Sequence, residues 1–402
     1  MSRILQAVFP PQLSRRLWLG AALVAAAGLL AACSGTSFSD FGLPWQSPVP
    51  QQQPADTLGA GQIKVGLILP LSAGGNPGIA AQSMKNAAEM ALAEFNNPDI
   101  QLLVKDDGGT AVGAQQAAQQ ALDEGAEIIL GPLFAPSVAA AGQVARGRGR
   151  PVIAFSTDTS VAARGVYLLS FLPESDVERI AGYAANNGKR SFAALVPDNA
   201  YGSVVEAAFK QAVARRNGRI VALQHYPLDK VQRGDAIKAV AQAAAQADAL
   251  FIPDGPDAAE MVGALAANKV NVKRLQLLGS GIWEDPNIAT ASSLHGAWYP
   301  APEPAGFRNF AARYRKRFNQ DPVRTATLSY DAVALVAALV KTQGPQRFAE
   351  EVLTNSSGFA GIDGVFRFRP DGTNERGLAV MRLTPSGGQP IAPAPRSFGS
   401  AT

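Results

Sequence analysis

Short apolar runs alternate with amphipathic segments along most of this chain. The amphipathic segments are about 10 to 17 residues long and carry apolar residues at helical spacing, as in Ile79–Phe95 and Tyr201–Asn217. Because strands that alternate with helices pair in parallel and are covered on both faces, this rhythm predicts the α/β class. The predicted strands are Gln62–Leu69, Ile100–Lys105, Glu127–Leu130, Val152–Phe155, Phe192–Val196, Ile220–His225, Ala249–Ile252 and Leu275–Leu278.

The alternation falls into two series, which indicates two sheets. A loop after Phe155 interrupts the rhythm, and a new series begins near Ser175. We therefore predict two doubly wound, Rossmann-like lobes joined by a hinge. The expected organisation is a body over 62–385 (lobe 1 about 62–173 and 294–353, lobe 2 about 174–293 and 354–385), a hairpin in Gly358–Phe368 and a flexible tail over 386–402.

The N-terminus has the layout of a secretory signal peptide over residues 1–32. Basic residues Arg3, Arg15 and Arg16 precede an uncharged apolar run, LWLGAALVAAAGLLAA. The run is about 16 residues long, which is short for a membrane-spanning helix of roughly 20 residues. It ends in L-A-A-Cys33, which resembles the bacterial lipoprotein box and implies lipidation of the Cys33 thiol. The alternative is an ordinary signal followed by an unmodified Cys.

Residues 33–61 read as a lipidated tether. Pro, Gln, Ser and Gly dominate this stretch, and no apolar period appears in it. Ser34, which follows the Cys, favours sorting to the outer membrane over retention at the inner membrane. We therefore expect a periplasmic protein that is anchored to a membrane, with the outer membrane favoured, through the lipid on Cys33.

Charge and motif content argue against several classes of function. The net charge is +4, and loss of the three Arg of the signal leaves about +1, which is too little for the basic patch of a nucleic-acid binder. Because Cys33 is the single cysteine, no disulfide is expected within the chain. His225 and His295 lack partners at metal-ligand spacing, and no P-loop, G-x-S-x-G or H-E-x-x-H motif occurs. We expect a protein that is not an enzyme and uses no metal or cofactor.

Candidate binding residues follow the predicted strands. Ligands of open parallel sheets sit beyond the carboxyl ends of the strands, close to helix N-termini. Hydroxyl and N–H groups in one lobe, with a carboxylate in the other, suit a small zwitterion. Each candidate also has a structural interpretation, as a helix cap or a packing residue. The candidates are Ser72, Ser137 (also the predicted N-cap of a helix), Ser156, Thr157, Asp158, Tyr201 and Asp257.

Four segments resemble type I periplasmic solute-binding proteins of the leucine/isoleucine/valine-binding type. They are V-G-L-I-L-P-L-S, I-I-L-G-P-L, P-V-I-A-F-S and L-V-P-D-N-A-Y-G, within a resemblance that covers roughly residues 62–385. It implies two lobes that close on a small ligand, such as an amino acid, for delivery to an ABC permease. By the same resemblance the ligand meets the hydroxyl of Ser137, the carboxylate-binding loop Ser156-Thr157-Asp158, the aromatic ring of Tyr201, the ammonium-binding Asp257 and a cleft wall at Trp283.

The sequence also departs from this pattern and leaves a second branch open. The first loop has Gly-Gly-Asn-Pro where an aromatic residue often covers the ligand, and Phe155-Ser156-Thr157-Asp158 replaces the usual run of small residues. Together with the predicted lipid anchor, these departures fit lipoproteins of the same fold that are known as penicillin-binding protein activators. That resemblance implies a regulator of a peptidoglycan synthase, with a penicillin-binding protein as partner in place of a permease.

Overall fold

The computed structural model describes residues 56–95, 98–255 and 257–399. The predicted signal peptide 1–32, the predicted lipidation site Cys33 and the first part of the tether lie outside the described residues. Within the described part of the chain, no helix has both the length and the apolar character that a membrane crossing requires.

Strands and helices alternate through most of the described residues. In chain order the strands and α-helices are β1 (Asp56–Leu58), β2 (Ile63–Leu69), α1 (Gly75–Glu94), β3 (Ile100–Asp106), α2 (Ala111–Asp123), β4 (Ile128–Leu130), α3 (Ala135–Gly147), β5 (Val152–Ala154), β6 (Val166–Leu168), α4 (Pro173–Asn186), β7 (Ser191–Pro197), α5 (Ala200–Arg215), β8 (Arg219–Tyr226), α6 (Gly234–Ala243), β9 (Ala249–Phe251), α7 (Ala258–Ala267), β10 (Gln276–Leu278), α8 (Pro286–Ala289), β11 (Trp298–Ala301), α9 (Pro304–Phe318), α10 (Ala326–Thr342), α11 (Glu350–Leu353), β12 (Phe359–Gly361), β13 (Gly364–Phe368), β14 (Asn374–Arg376), β15 (Ala379–Thr384) and β16 (Gly387–Ala392).

The sheet of lobe 1 has the strand order β1-β3-β2-β4-β5-β6. Strands β2 to β6 pair in parallel, and β1 joins the edge antiparallel to β3. Helices α2 and α3 cover one face around Ala117 and Val138, and α1 and α10 cover the other face around Met84 and Val333. Strand β1 lies within the stretch predicted as a tether. Its order comes from backbone pairing with β3, which leaves no apolar period in the sequence, so this strand was not predicted.

The sheet of lobe 2 has the strand order β16-β15-β11-β10-β9-β7-β8. Strands β7 to β11 pair in parallel, whereas β15 and β16 extend the sheet antiparallel. Helices α4 and α5 pack on one face around Val177 and Phe209, and α6 and α7 pack on the other around Val240 and Leu265. The prediction of two doubly wound α/β lobes is therefore confirmed.

Close packing between sheet and helix depends on small residues. In β2, a Cβ added to Gly66 would lie 3.0 Å from the Cβ of Ala121 in α2. That spacing is tighter than ordinary van der Waals contact, so a larger side chain at either position would push the helix away from the sheet. The many alanines of α2 thus set the distance between this helix and the strands that carry the site loops.

The chain passes between the lobes at 169–172, 302–303 and 377–378. These crossings correct the predicted division of the body. Strand β11 belongs to the sheet of lobe 2, so the second segment of lobe 1 begins near residue 304 and not near 294. The same segment continues through β14, and lobe 2 resumes with β15. These boundaries depend on hydrogen bonding between strands that are distant in sequence. The local pattern of apolar residues does not reveal which strands pair.

A small sheet of β12, β13 and β14 lies on lobe 1. Its hairpin pairs Gly361 with Gly364, which confirms the hairpin predicted in Gly358–Phe368. Phe366 and Phe368 share the core of lobe 1, and the backbone N–H of Leu168 donates to the carbonyl of Gly372 at 2.8 Å. The predicted assignment of this region to lobe 2 is therefore corrected.

Part of the predicted flexible tail is a strand. Strand β16 pairs antiparallel with β15 and extends the sheet of lobe 2. The Gly and Pro residues of this stretch led us to expect a loop, but the free edge of β15 supplies backbone partners for it.

Candidate functional site

On lobe 1, the loops after β2 and β3 meet at Ser72 and Asp106. The backbone N–H groups of Ser72 and Gly108 donate to Asp106 Oδ1 at 3.1 and 2.9 Å. Partial burial pushes the pKa of Asp106 upward, but hydrogen bonds from Ser72 and Gly108 outweigh burial and hold the pKa below its ordinary value. Asp106 is therefore ionised near neutral pH, and the exposed Ser72 lies beside it.

Asp107 and Ser137 lie deeper in the same lobe. Asp107 is buried and accepts a hydrogen bond from the Gly109 N–H at 2.9 Å, and burial raises its pKa although the Ser137 hydroxyl acts in the opposite direction. Ser137 is fully buried inside α3. The predicted N-cap is wrong, because α3 begins at Ala135 with a Pro in its first turn and Phe134 as its N-cap. Ser137 thus lies behind the surface of the strand-end loops.

The loop after β5 uses two of its polar side chains to hold its own shape. Ser156 Oγ accepts from the Asp158 N–H at 3.1 Å, and Asp158 Oδ1 accepts from the Ser160 N–H at 2.9 Å. Ser156 is buried, whereas Thr157 and Asp158 are exposed. The hydroxyl of Thr157 and the second oxygen of Asp158 are the groups that this loop presents to the surroundings.

On lobe 2, Tyr201 is fixed by the loops after β9 and β10. Its hydroxyl lies 2.9 Å from Ser280 Oγ and 3.3 Å from the Pro253 carbonyl oxygen, to which Ser280 Oγ also donates at 2.8 Å. Asn199 caps the helix that carries Tyr201 by accepting from the Gly202 N–H. Burial raises the pKa of Tyr201 well above its ordinary value, so the hydroxyl stays protonated.

Asp176 lies in the first turn of α4, next to the loop after β10. The Gly281 N–H donates to Asp176 Oδ2 at 2.9 Å, and in the described part of the chain the carboxylate receives no other hydrogen bond. Burial raises the pKa of Asp176 to about 7, and the charge of Asp176 also acts on Tyr201. Asp176 was not among the predicted site residues, because those residues follow strands, whereas Asp176 follows the first crossing between the lobes.

The carboxylate of Asp257 is already paired. Arg233 Nη2 lies 2.7 Å from Asp257 Oδ2, and Lys230 Nζ lies 3.1 Å from Asp257 Oδ1. Burial raises the Asp257 pKa, but the hydrogen bonds from Arg233 and Lys230 outweigh it and leave the pKa below its ordinary value. This pairing argues against the predicted role of Asp257 as the acceptor of a ligand ammonium, because two cations already occupy its oxygens.

Trp283 belongs to the core of lobe 2. Its side chain is fully buried, and a Cβ added to Gly279 would lie 2.2 Å from Trp283 Cδ2. The indole Nε1–H donates to the Asp254 carbonyl at 2.7 Å. The placement predicted from the resemblance, with Trp283 lining the cleft, is corrected, since the ring supports the loop from below and does not reach the surface.

The candidates thus form two groups, one on each lobe. Ser72, Thr157 and Asp158 are exposed on lobe 1 with Ser137 and Ser156 beneath them, and Tyr201 lies with Ser280 and Asp176 on lobe 2. Near the hinge, Thr159 Oγ1 donates to Glu174 Oε1 at 2.8 Å and joins the loop after β5 to the start of α4. In the described ranges, no three His, Cys, Asp or Glu side chains are grouped as metal ligands.

Two doubly wound lobes that are linked by three crossings, with polar loops at the strand ends of both, define the class of two-lobed solute-binding proteins. The family model described as periplasmic binding protein matches residues 62–389, and the chain belongs to this family. A relative from Brucella melitensis biotype 1, the Leu/Ile/Val-binding protein homolog 6, is 25% identical over 228 residues. That match covers 54% of this chain and 58% of the relative, so the chain spans little more than half the length of this curated relative.

Two solved structures show the same fold. A branched chain amino acid ABC transporter periplasmic ligand-binding protein from Burkholderia xenovorans LB400 is 18% identical with a TM-score of 0.65, covering 84% of this chain and 97% of its own. A solute binding protein of an ABC transporter from Rhodopseudomonas palustris BisB5, in complex with 3,4-dihydroxy benzoic acid, is 20% identical with a TM-score of 0.56, covering 83% and 98%. These likenesses support the two-lobed architecture.

Proposed function

We propose that this protein is the solute-binding component of an ABC-type transport system in the periplasm. A small ligand would bind between the lobes and be released to a permease. The family match supports the binding role, and the polar strand-end loops on both lobes supply the contacts that a small ligand needs. The lipid anchor on Cys33 and the outer-membrane location remain predictions from the sequence.

The observation that carries the proposal is the free carboxylate oxygen of Asp176. Of its two oxygens, Oδ2 accepts from Gly281, and Oδ1 accepts no hydrogen bond from the described residues. A ligand ammonium placed there would pair with the carboxylate and lie near the Tyr201 hydroxyl. Asp176 would thus bind the ligand ammonium, the role that the sequence predicted for Asp257.

The ligand class follows from both lobes. An ammonium at Asp176 and a carboxylate near the Thr157 hydroxyl describe an amino acid or a similar zwitterion. The Rhodopseudomonas palustris neighbour holds an aromatic acid, which has no ammonium. An aromatic acid would leave Asp176 unpaired, so the zwitterion is the better fit for this chain.

Isothermal titration calorimetry tests the proposal. The full chain in detergent would be titrated with the common amino acids, small amines and aromatic acids. We expect saturable heat from at least one compound with an ammonium group and none from aromatic acids. A panel in which no compound gives heat, or in which aromatic acids bind most tightly, would count against the proposed site.

The second branch has no supporting structural observation. None of the three proteins compared above is described as a penicillin-binding protein activator. Contact with a peptidoglycan synthase therefore stays a prediction from the sequence, to be tested by pull-down of penicillin-binding proteins with the full chain.

A further inference from the structure

A groove of about 1450 Å³ begins beside Thr159, in the loop after β5, and extends from there along helix α4. Helices α4 and α5 of lobe 2 form one wall, and strands β13 and β14 on lobe 1 form the other together with the chain at 395–399. Pockets for small molecules usually measure about 300 to 1,000 Å³, so this groove is larger than a small ligand requires.

The groove is also long. Its lining residues on α4 run from Glu174 to Asn186. At 1.5 Å per residue of α-helix, this stretch measures about 18 Å. An extended peptide of five or six residues covers the same length, at roughly 3.3 Å per residue. The shape therefore suits an elongated ligand.

Positive charge exceeds negative charge along the groove. Among the described lining residues, the cationic side chains are Arg179, Lys210, Arg215, Arg216, Arg367, Arg369 and Arg376, and the carboxylates are Glu174, Glu178, Asp371 and Glu375. On each wall one carboxylate forms ion pairs with two guanidinium groups. Glu178 pairs with both Arg215 and Arg216, and Glu375 pairs with both Arg367 and Arg369. Each of these two groups is thus left with one uncompensated positive charge, and the lining as a whole has seven cations against four carboxylates.

The floor of the groove holds donors that lack acceptors. Arg376 is 6% exposed, and its Nε donates to the Ser170 carbonyl at 2.9 Å. Its Nη1 and Nη2 have no hydrogen-bond partner among the described residues, and the same is true of Arg179 Nε. Asp363, Asp331 and Asp176 act on the charge of Arg376 without bonding to these nitrogens. Because unpaired buried donors are unfavourable, a ligand carboxylate at this point would be stabilised.

We propose that this groove binds an extended acidic peptide segment of a partner protein, with its carboxylates on Arg179 and Arg376. The groove adjoins the strand-end site at Thr159 and Glu174. The proposed peptide binding does not depend on the proposed transport function. Since the two walls belong to different lobes, the bound segment contacts both.

Fluorescence anisotropy with a labelled hexaglutamate peptide tests this proposal. The full chain in detergent at low salt is expected to bind hexaglutamate and not hexaglutamine. The double variant Arg179→Gln with Arg376→Gln is expected to weaken binding at least tenfold. The matched control is Arg146→Gln with Arg150→Gln, which removes the same charge from exposed positions outside the groove and is expected to leave binding unchanged.

Three outcomes would overturn the proposal. They are absence of hexaglutamate binding, equal weakening in both double variants (which would indicate general charge attraction), and binding of citrate as tight as that of hexaglutamate (which would indicate a small-anion site). If the double variant fails to fold, Arg179→Gln alone replaces it, because that residue is only partly buried, and a severalfold weakening is expected.

Discussion

Arg376 stacks on Phe171, with its guanidinium carbon 4.6 Å from the centroid of the ring, and Arg324 lies at the same distance from that ring. Phe171 belongs to the first crossing between the lobes, and Arg376 ends β14 directly before the third. A single aromatic ring therefore links two of the three crossings. Desolvated cation–π contacts are worth up to about 2 kcal/mol, so this contact makes a measurable contribution to the hinge.

Replacing Phe171 with Leu is expected to lower the free energy of unfolding by about 2 to 3 kcal/mol. The change removes two cation–π contacts and part of an apolar ring. Urea denaturation measures the effect. Phe348→Leu is the matched control, since the Phe348 ring has one cation–π contact among the residues described, with Arg347 at 6.0 Å. A loss of about 1 kcal/mol is expected for this variant. Equal losses in the two variants would contradict the special role of Phe171.

Replacing Arg324 with Ala is expected to destabilise the protein by about 3 kcal/mol. The Asp363 side chain is fully buried and accepts from Arg324 Nη1 and Nη2 at 2.9 and 2.6 Å, so the change leaves a buried carboxylate without its cation. Arg315→Ala breaks a similar pair with Asp321 at the surface and is expected to cost less than about 1 kcal/mol. The prediction fails if urea denaturation gives similar values for the two variants.

Asp331 is expected to make stability fall as pH rises from about 4 to about 7. Burial raises its pKa to about 7 from the ordinary 3.8, so the folded protein holds this proton more tightly than the unfolded chain does. The proton-linked stabilisation is fully present below the pKa of the unfolded chain and is lost as the pH rises to the pKa of the folded protein. Its size is about 1.4 kcal/mol per unit of difference between the two pKa values. Urea denaturation at pH 5 and pH 8 should show a smaller difference in Asp331→Asn than in the unchanged chain. Asp235→Asn, at a fully exposed position, should leave the difference as it was.

Trp283 is expected to matter for folding more than for ligand contact. Trp283→Ala should lower the free energy of unfolding by about 3 to 5 kcal/mol, because it opens a cavity in the core of lobe 2. Ile282→Ala changes the exposed neighbour and should cost less than about 1 kcal/mol. A Trp283 variant with unchanged stability and reduced ligand affinity would restore the cleft-wall role.

Ligand affinity is expected to depend on Asp176 and on pH. With a pKa of about 7, Asp176 is mostly protonated at pH 6 and mostly ionised at pH 8, so a ligand with an ammonium group should bind about tenfold more weakly at pH 6. Asp176→Asn should weaken binding by about tenfold or more at pH 8 and remove this pH dependence. Asp257→Asn is the comparison variant and should change affinity little. Calorimetry that shows the reverse order would return the ammonium contact to Asp257.

Local pattern was sufficient for the existence and order of most elements. The apolar run that became β2 and the alanine periodicity that became α2 each encode one element within about 20 residues. A parallel strand that is buried on both faces has a continuous apolar run, and a helix that is buried on one face has apolar residues at helical spacing, so both are visible in the sequence. The two-lobed α/β class and the strand-end position of the candidate loops could therefore be predicted from the sequence.

Only the tertiary structure decided which side chains meet. Asp257 pairs with Arg233, which lies 24 positions earlier, and Asp176 meets Gly281 across 105 positions. Strand β11 joins lobe 2 through hydrogen bonds to β10 and β15, and the Trp283 ring is drawn into the core by contacts from several strands. These outcomes depend on backbone pairing, charge compensation and packing between distant segments, none of which leaves a local period in the sequence.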